Sequence, residues 1–137
     1  MSEFRVTSAK VREQDRLFGL LQDYLAEFDE FEDVEKNEDG TYVYPFLPHY
    51  WEDPNRYPFL FRADDELAGF ALLRFEVDPA SGYESMDMAE FYVVPNYRRN
   101  GYGREAARRW WDLFPGRWIV RVPEEQQERA SLLEDGH

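Results

Sequence analysis

The segment Glu90-Phe91-Tyr92-Val93-Val94-Pro95-Asn96-Tyr97-Arg98-Arg99-Asn100-Gly101-Tyr102-Gly103-Arg104-Glu105-Ala106-Ala107 restricts the possible folds more than any other part of this chain. It opens as an apolar strand, passes Pro95 and two adjacent arginines, bends at Gly101 and Gly103, and enters a helix. The glycines allow close backbone approach. The start of a helix offers unpaired N–H donors and the positive end of its dipole. Arginines beside such a bend add charge suited to phosphate oxygens. The pattern points to a strand–loop–helix unit built for a phosphate-bearing ligand.

The charge distribution agrees. The 137-residue chain carries a formal net charge of −13, which argues against nucleic acid as the main partner. Yet residues 98–121 hold seven arginines against only Glu105 and Asp112, so the cationic stretch coincides with the glycine bend. Only Lys10 and Lys36 are lysines, a bias expected from an Arg-rich codon usage or, alternatively, from adaptation to high salt. The length suits one domain spanning residues 1–137, and 18% aromatic residues supply a bulky core. No apolar run approaches a membrane span, and Met1-Ser2-Glu3-Phe4-Arg5 has no secretion-signal pattern, so a cytoplasmic protein with no membrane partner is expected. The absence of cysteine excludes disulfides and thiolate chemistry.

The hydrophobic periodicity predicts a strand over 3–7 and an amphipathic helix over 10–31, with Ser8 as its cap and Val11, Leu17, Leu20, Leu21, Tyr24, Leu25, Phe28 and Phe31 on its apolar face. An acidic stretch ends at the turn Asp39-Gly40. A proline-rich segment, 44–58, reads as an ordered loop or a short helix around Leu47–Trp51, not a long element. Strands follow at 59–62, 67–75 and 85–94, with turns at 64–66 and 78–82. A helix over 103–114, a strand over 118–122 and a helical stretch over 124–133 complete the order. The unit from 85 to 122 is strand–helix–strand, so its strands should be parallel, while the preceding ones form an antiparallel meander. The expected class is α+β with a mixed, mostly antiparallel sheet flanked by helices.

Gly101-Tyr102-Gly103-Arg104-Glu105-Ala106 also fits the dinucleotide fingerprint, with Glu124 at a suitable distance beyond it. Two features argue against that reading. Six residues separate the strand from Gly101, and too little chain follows for further strand–helix units. A plain strand-to-helix turn without a ligand is the bland alternative, which the paired arginines disfavour.

The run Val94-Pro95-x-Tyr97-Arg98-x-x-Gly101-x-Gly103, in this order of elements, resembles the acetyl-CoA loop of the GNAT N-acetyltransferases, and the likeness extends over residues 3 to about 122. The resemblance implies acetyl transfer from acetyl-CoA to a primary amine. It also implies that the cofactor pyrophosphate lies on the N–H groups of Arg99, Asn100, Gly101, Tyr102, Gly103 and Arg104, with Arg98 beside them. The pantetheine arm would pair with the splayed backbone of Val93 and Val94, and an N–H near Val93 would face the thioester oxygen. Family members usually continue into two more strands, one carrying a tyrosine that protonates the leaving thiolate. No tyrosine follows Tyr102 here, so the general acid is unassigned, the last two strands are expected to be missing, and a homodimer is expected to cover the exposed edge. A coenzyme A-binding, non-catalytic or regulatory module of the same fold is the alternative.

Glu90 is the candidate base. A lone carboxylate in an apolar strand either sits at a solvated edge or is retained for chemistry. An ammonium must lose a proton before it can attack a thioester, and a carboxylate can take that proton directly or through water. Strand alternation would place Met88, Glu90, Tyr92 and Val94 on one face. Residues 23–39, with nine acids and one lysine, form either a solvated face or an attractor for a cationic, amine-bearing substrate. The aromatic run from Tyr42 to Trp51 is core or acceptor wall, and His49 reads as structural. No cluster has metal-ligand spacing, and no Ser/His/Asp set is evident.

Overall fold

The structure is a computed structural model that describes residues 3–114 and 116–120; of Arg117, Ile119 and Val120 only the backbone is considered. Strand β1 (Phe4–Ser8) leads through a 3-10 turn into helix α1 (Gln14–Asp29). The short helix α2 (His49–Glu52) precedes β2 (Arg56–Ala63), β3 (Glu66–Val77) and β4 (Glu84–Val93). A second 3-10 turn, Pro95–Tyr97, leads to α3 (Tyr102–Leu113) and β5 (Arg117–Val120). The sheet runs β1-β2-β3-β4-β5, antiparallel except for the β4–β5 pair, which is parallel as the strand–helix–strand pattern required. The predicted helix over 124–133, the end of the 118–122 strand and the expected lack of two further strands all concern residues outside those described.

Two apolar layers cover the sheet. On one face, α3 lays Ala106, Ala107 and Trp110 against Phe59, Phe61, Leu73, Met86, Met88, Phe91 and Val93. On the other, α1 sets Leu17, Leu21, Tyr24 and Leu25 against Leu60, Phe70, Leu72 and Tyr92, with Leu47 and Tyr50 closing the layer. Trp110 is fully buried and meets Phe59, Phe61 and Phe91 at centroid distances of 5.4–6.3 Å.

The helix begins later than its periodicity suggested. Ser8 ends β1 and does not cap α1; the Lys10 N–H instead donates to Glu13 Oε1 at 3.0 Å. Val11 and Phe31, expected on the apolar face, are 67% and 52% exposed because they lie beyond the two ends of α1. The β2–β3 connection is a tight two-residue turn, with Asp64 and Asp65 at φ 51° and 72°, the left-handed values that match strand twist. β2 starts three residues before the expected strand. It accommodates Pro58 because β1 pairing stops at Ser8↔Phe59, so the missing proline N–H breaks no ladder.

The register shifts between β3 and β4 where Leu72 faces Glu90 and Leu73 faces Met88, leaving Ala89 as the extra residue of a β-bulge. The bulge reverses the alternation. Met86 and Met88 share the α3 face with Phe91 and Val93, while Glu90 and Tyr92 face α1. The expected grouping of Met88, Glu90, Tyr92 and Val94 on one face is therefore corrected.

The sheet is tightest at Gly69, opposite Val93. A Cβ there would lie 2.1 Å from the Tyr92 carbonyl oxygen and 2.8 Å from the Phe61 ring. Gly69→Ala should destabilise the fold by about 2–3 kcal/mol through overpacking, read as a lower denaturant midpoint at unchanged slope.

Candidate active site

Glu90 sits immediately after the bulge, part-buried beneath α1. Both of its carboxylate oxygens accept hydrogen bonds, from the Tyr24 hydroxyl at Oε1 and the Tyr44 hydroxyl at Oε2, each at 2.8 Å. Tyr24 comes from the middle of α1, where its ring packs on Phe28, Phe70 and Tyr92 at 4.7–5.8 Å. Tyr44 comes from the segment before α2. Gln22 on α1 clasps that segment: its Nε2 donates to the Tyr42 carbonyl at 3.0 Å and its Oε1 accepts from the Tyr42 N–H at 2.7 Å. Two residues on, Tyr44 falls over Glu90. Tyr44 also walls a pocket of about 240 Å³, shared with Gln14, Asp15, Phe18, Pro45, Leu47 and Pro48.

The same bulge places Asp87 on the face of Glu90. Asp87 is fully buried, and its Oδ2 accepts from Arg74 at 2.7 Å across the β3–β4 ladder. Tyr50 lies nearby under the Arg56 guanidinium, 5.2 Å from its ring centre. Burial pushes Glu90 above the usual carboxylate range; the Tyr44 and Tyr24 hydroxyls and the Arg74 charge pull it back, and Asp87 pushes it up further. Burial also drives Tyr24 and Tyr44 far above the ordinary phenol value, and the Glu90 charge adds to this. Tyr50 is pushed up to about 12. All three phenols therefore stay protonated near neutrality, and Tyr24 and Tyr44 donate to Glu90.

β4 then continues, paired with β3, to Val93. Its pairing with β5 ends, among the described residues, at Met88↔Val120, five residues before Val93. The Val94 N–H turns towards β3 and donates to the Ala68 carbonyl at 2.8 Å. The Val93 carbonyl turns the other way and accepts from Arg98 Nε at 2.7 Å. By the same alternation, the Val93 N–H lies on that outer edge. Of the strand-end groups assigned to pantetheine, the Val94 N–H and the Val93 carbonyl are thus already engaged.

The loop follows. Arg99 and Gly101 take left-handed φ values of 67° and 76°, and Gly101 is the residue that opens α3. Among the described residues, no backbone N–H from Arg99 to Arg104 donates to another group. Arg99, Asn100, Gly101 and Arg104 are exposed; Tyr102 and Gly103 are half-buried, and the Tyr102 ring stacks on Phe4 at 4.5 Å. Asn100 bonds the Tyr97 and Arg98 carbonyls at 3.1 and 3.3 Å, which braces the bend. Arg98 differs from its neighbours. Its guanidinium also donates to Glu27 Oε2 at 2.7 Å and lies 5.5 Å from the centre of the Tyr92 ring. It ties the loop to β4 through Nε and to α1 through Nη2.

Sequence reasoning singled out Glu90 and the loop but missed the partners of Glu90. Tyr24 was legible only as a member of an apolar stripe, Tyr44 only as one aromatic in a proline-rich run, and the Arg74–Asp87 pair gave no signal. The described residues gather no group of three or more His, Asp or Glu side chains fit to hold a metal ion, and contain no helix long and apolar enough to cross a membrane.

The model of the acetyltransferase (GNAT) family matches residues 17–127, and the chain belongs to that family. No curated protein matches the chain. Solved structures share the fold. The ribosomal-protein-alanine N-acetyltransferase from Brucella melitensis biovar Abortus 2308 is 15% identical, with a TM-score of 0.65 over 98% of this chain and 89% of that one. A predicted acetyltransferase from Clostridium acetobutylicum, solved with acetyl-CoA, is 12% identical, with a TM-score of 0.70 over 96% and 87%. An aminoglycoside acetyltransferase from an uncultured soil metagenome is 12% identical, with a TM-score of 0.66 over 98% and 86%. At these identities the likeness is one of fold.

Because the folded-state value of Glu90 lies above the unfolded one, the folded protein binds that proton more tightly, and stability falls as pH rises through this interval. Glu90→Gln should therefore melt at a higher temperature than the parent at pH 8, with the difference shrinking as pH approaches the unfolded value of about 4.3. Calorimetric scans at the two pH values provide the comparison.

Proposed function

We infer that the protein transfers the acetyl group of acetyl-CoA to a primary amine by direct attack in a ternary complex. The reading rests on one observation: a part-buried carboxylate, Glu90, stands on a strand that leads through a short turn into a loop whose backbone N–H groups, from Arg99 to Arg104, donate to no other group among the described residues. The family match and the solved neighbour carrying acetyl-CoA support that donor.

In this reading the pyrophosphate lies on the Arg99–Arg104 backbone, with the Arg99 and Arg104 side chains available to its oxygens. Arg98 acts as a brace, given its bonds to Val93 and Glu27. The Val93 N–H is the donor for the thioester oxygen. Glu90 takes the proton of the acceptor ammonium, directly or through water. The freed nitrogen forms the C–N bond as the C–S bond breaks, and the thiolate leaves with its electron pair. A thiol of pKa about 8.5 is a fair leaving group without an assigned acid.

The acceptor is a cationic amine. The acidic residues of α1 and of the segment after it favour it electrostatically, and the neighbours named for alanine N-termini and aminoglycosides act on amines.

Acetyl-CoA should raise the melting temperature, and Gly101→Glu should abolish that shift by placing a strained, anionic side chain in the loop. Glu90→Gln should keep the shift while slowing thiol release by about 10²–10⁴-fold, the usual worth of a general base. A full thermal shift with no thiol released from any amine would instead favour a coenzyme A-binding module without turnover.

A further inference from the structure

We propose that Tyr24 and Tyr44 are positioning residues that grip Glu90 from two elements and keep its carboxylate oriented and charged inside an aromatic layer. The proposal deepens the acetyl-transfer reading and rests on it for its purpose, but its geometry stands alone.

Each hydroxyl meets a different carboxylate oxygen at 2.8 Å, so the plane of the carboxylate is fixed at two points. A single bond would fix one oxygen and leave the group free to turn about it. The grips have independent supports. Tyr24 is seated by helix packing against Phe28, Phe70 and Tyr92. Tyr44 is seated by the two-bond clasp of Gln22 on Tyr42. Two accepted bonds still leave lone pairs on the carboxylate for a further donor.

The charged and titratable groups around Glu90 determine what the grips must do. Tyr24 faces it from α1, Tyr44 from the clasped segment, Tyr50 from α2, Arg74 from β3 and Asp87 from β4. Arg74 is the cation among them, and it is paired with Asp87 at 2.7 Å and with Glu76 at 3.4 Å. Its field at Glu90 is opposed by that of Asp87. Phenol donors that hold their own protons at neutral pH are then the groups that favour the ionised carboxylate without giving it a proton. Without them, burial would favour the protonated carboxyl still more.

The test follows the side-chain carboxyl carbon of Glu90 by NMR in protein labelled with 13C-glutamate, the signal being identified by its loss in Glu90→Gln. Tyr44→Phe and Tyr24→Phe each delete one hydroxyl and keep the ring. Each should move the Glu90 titration midpoint upward by about one pH unit, the worth of a hydrogen bond to a charged group. The acid limb of kcat/KM for acetyl-CoA with spermidine, ethanolamine or lysine amide should move in the same direction. A midpoint that stays or falls in Tyr44→Phe overturns the proposal, including the case in which both variants merely lower the melting temperature. Tyr44 is half-buried, so its variant carries the test even if Tyr24→Phe fails to fold. A raised midpoint with no thiol released from any of the three amines would leave the grip standing and remove acetyl transfer as its purpose.

Discussion

One extra residue in β4 organises this molecule. Without the bulge at Ala89, strict alternation would bring Met88 and Glu90 to the same side, and either the methionine would leave the α3 core or the glutamate would enter it. The bulge serves both: Met86 and Met88 stay with Trp110, while Asp87 and Glu90 turn together towards α1. It also coincides with the last rung between β4 and β5 among the described residues. A local change of register thus turns Glu90 towards α1 and sets it on the strand that leads into the glycine–arginine loop.

The cost of that arrangement is visible around it. A carboxylate withdrawn from water without partners is penalised by several kcal/mol. Two hydrogen bonds to a charged acceptor, at about 1.5–3 kcal/mol each, are of the same order. The balance is incomplete, because Glu90 still binds its proton more tightly than a free glutamate does. For a base this imbalance is useful: it strengthens the affinity for a proton without preventing ionisation. The buried Arg74–Asp87 pair links the two central strands.

Much of this was legible beforehand, for identifiable reasons. Strand and helix periods gave the element order, the strand–helix–strand spacing gave the parallel pair, and the glycine–arginine loop stood out because its residue types have few other uses together. What was not legible depends on contacts distant in sequence. A bulge has no signature when Met, Ala and Phe are all acceptable in a strand, so the phase reversal at Ala89 could not be read. Tyr24 lies 66 positions from Glu90, and its apolar neighbours on α1 concealed a polar role. The Arg98–Glu27 contact could not be read because the two residues lie 71 positions apart. Val11 and Phe31 continued a helical rhythm past the ends of the helix because periodicity does not register a missing cap.

The engagement of Arg98 also limits how a polyanion can find this protein. With that guanidinium neutralised by Glu27, the positive charge facing solvent at the bend falls to Arg99 and Arg104, on a molecule whose net charge is −13. Beyond a screening length of about 8 Å both the acidic surface and the two arginines are largely screened. In the proposed binding mode, a diphosphate would therefore be selected on contact, by the shape of the backbone, and would not be drawn in from a distance.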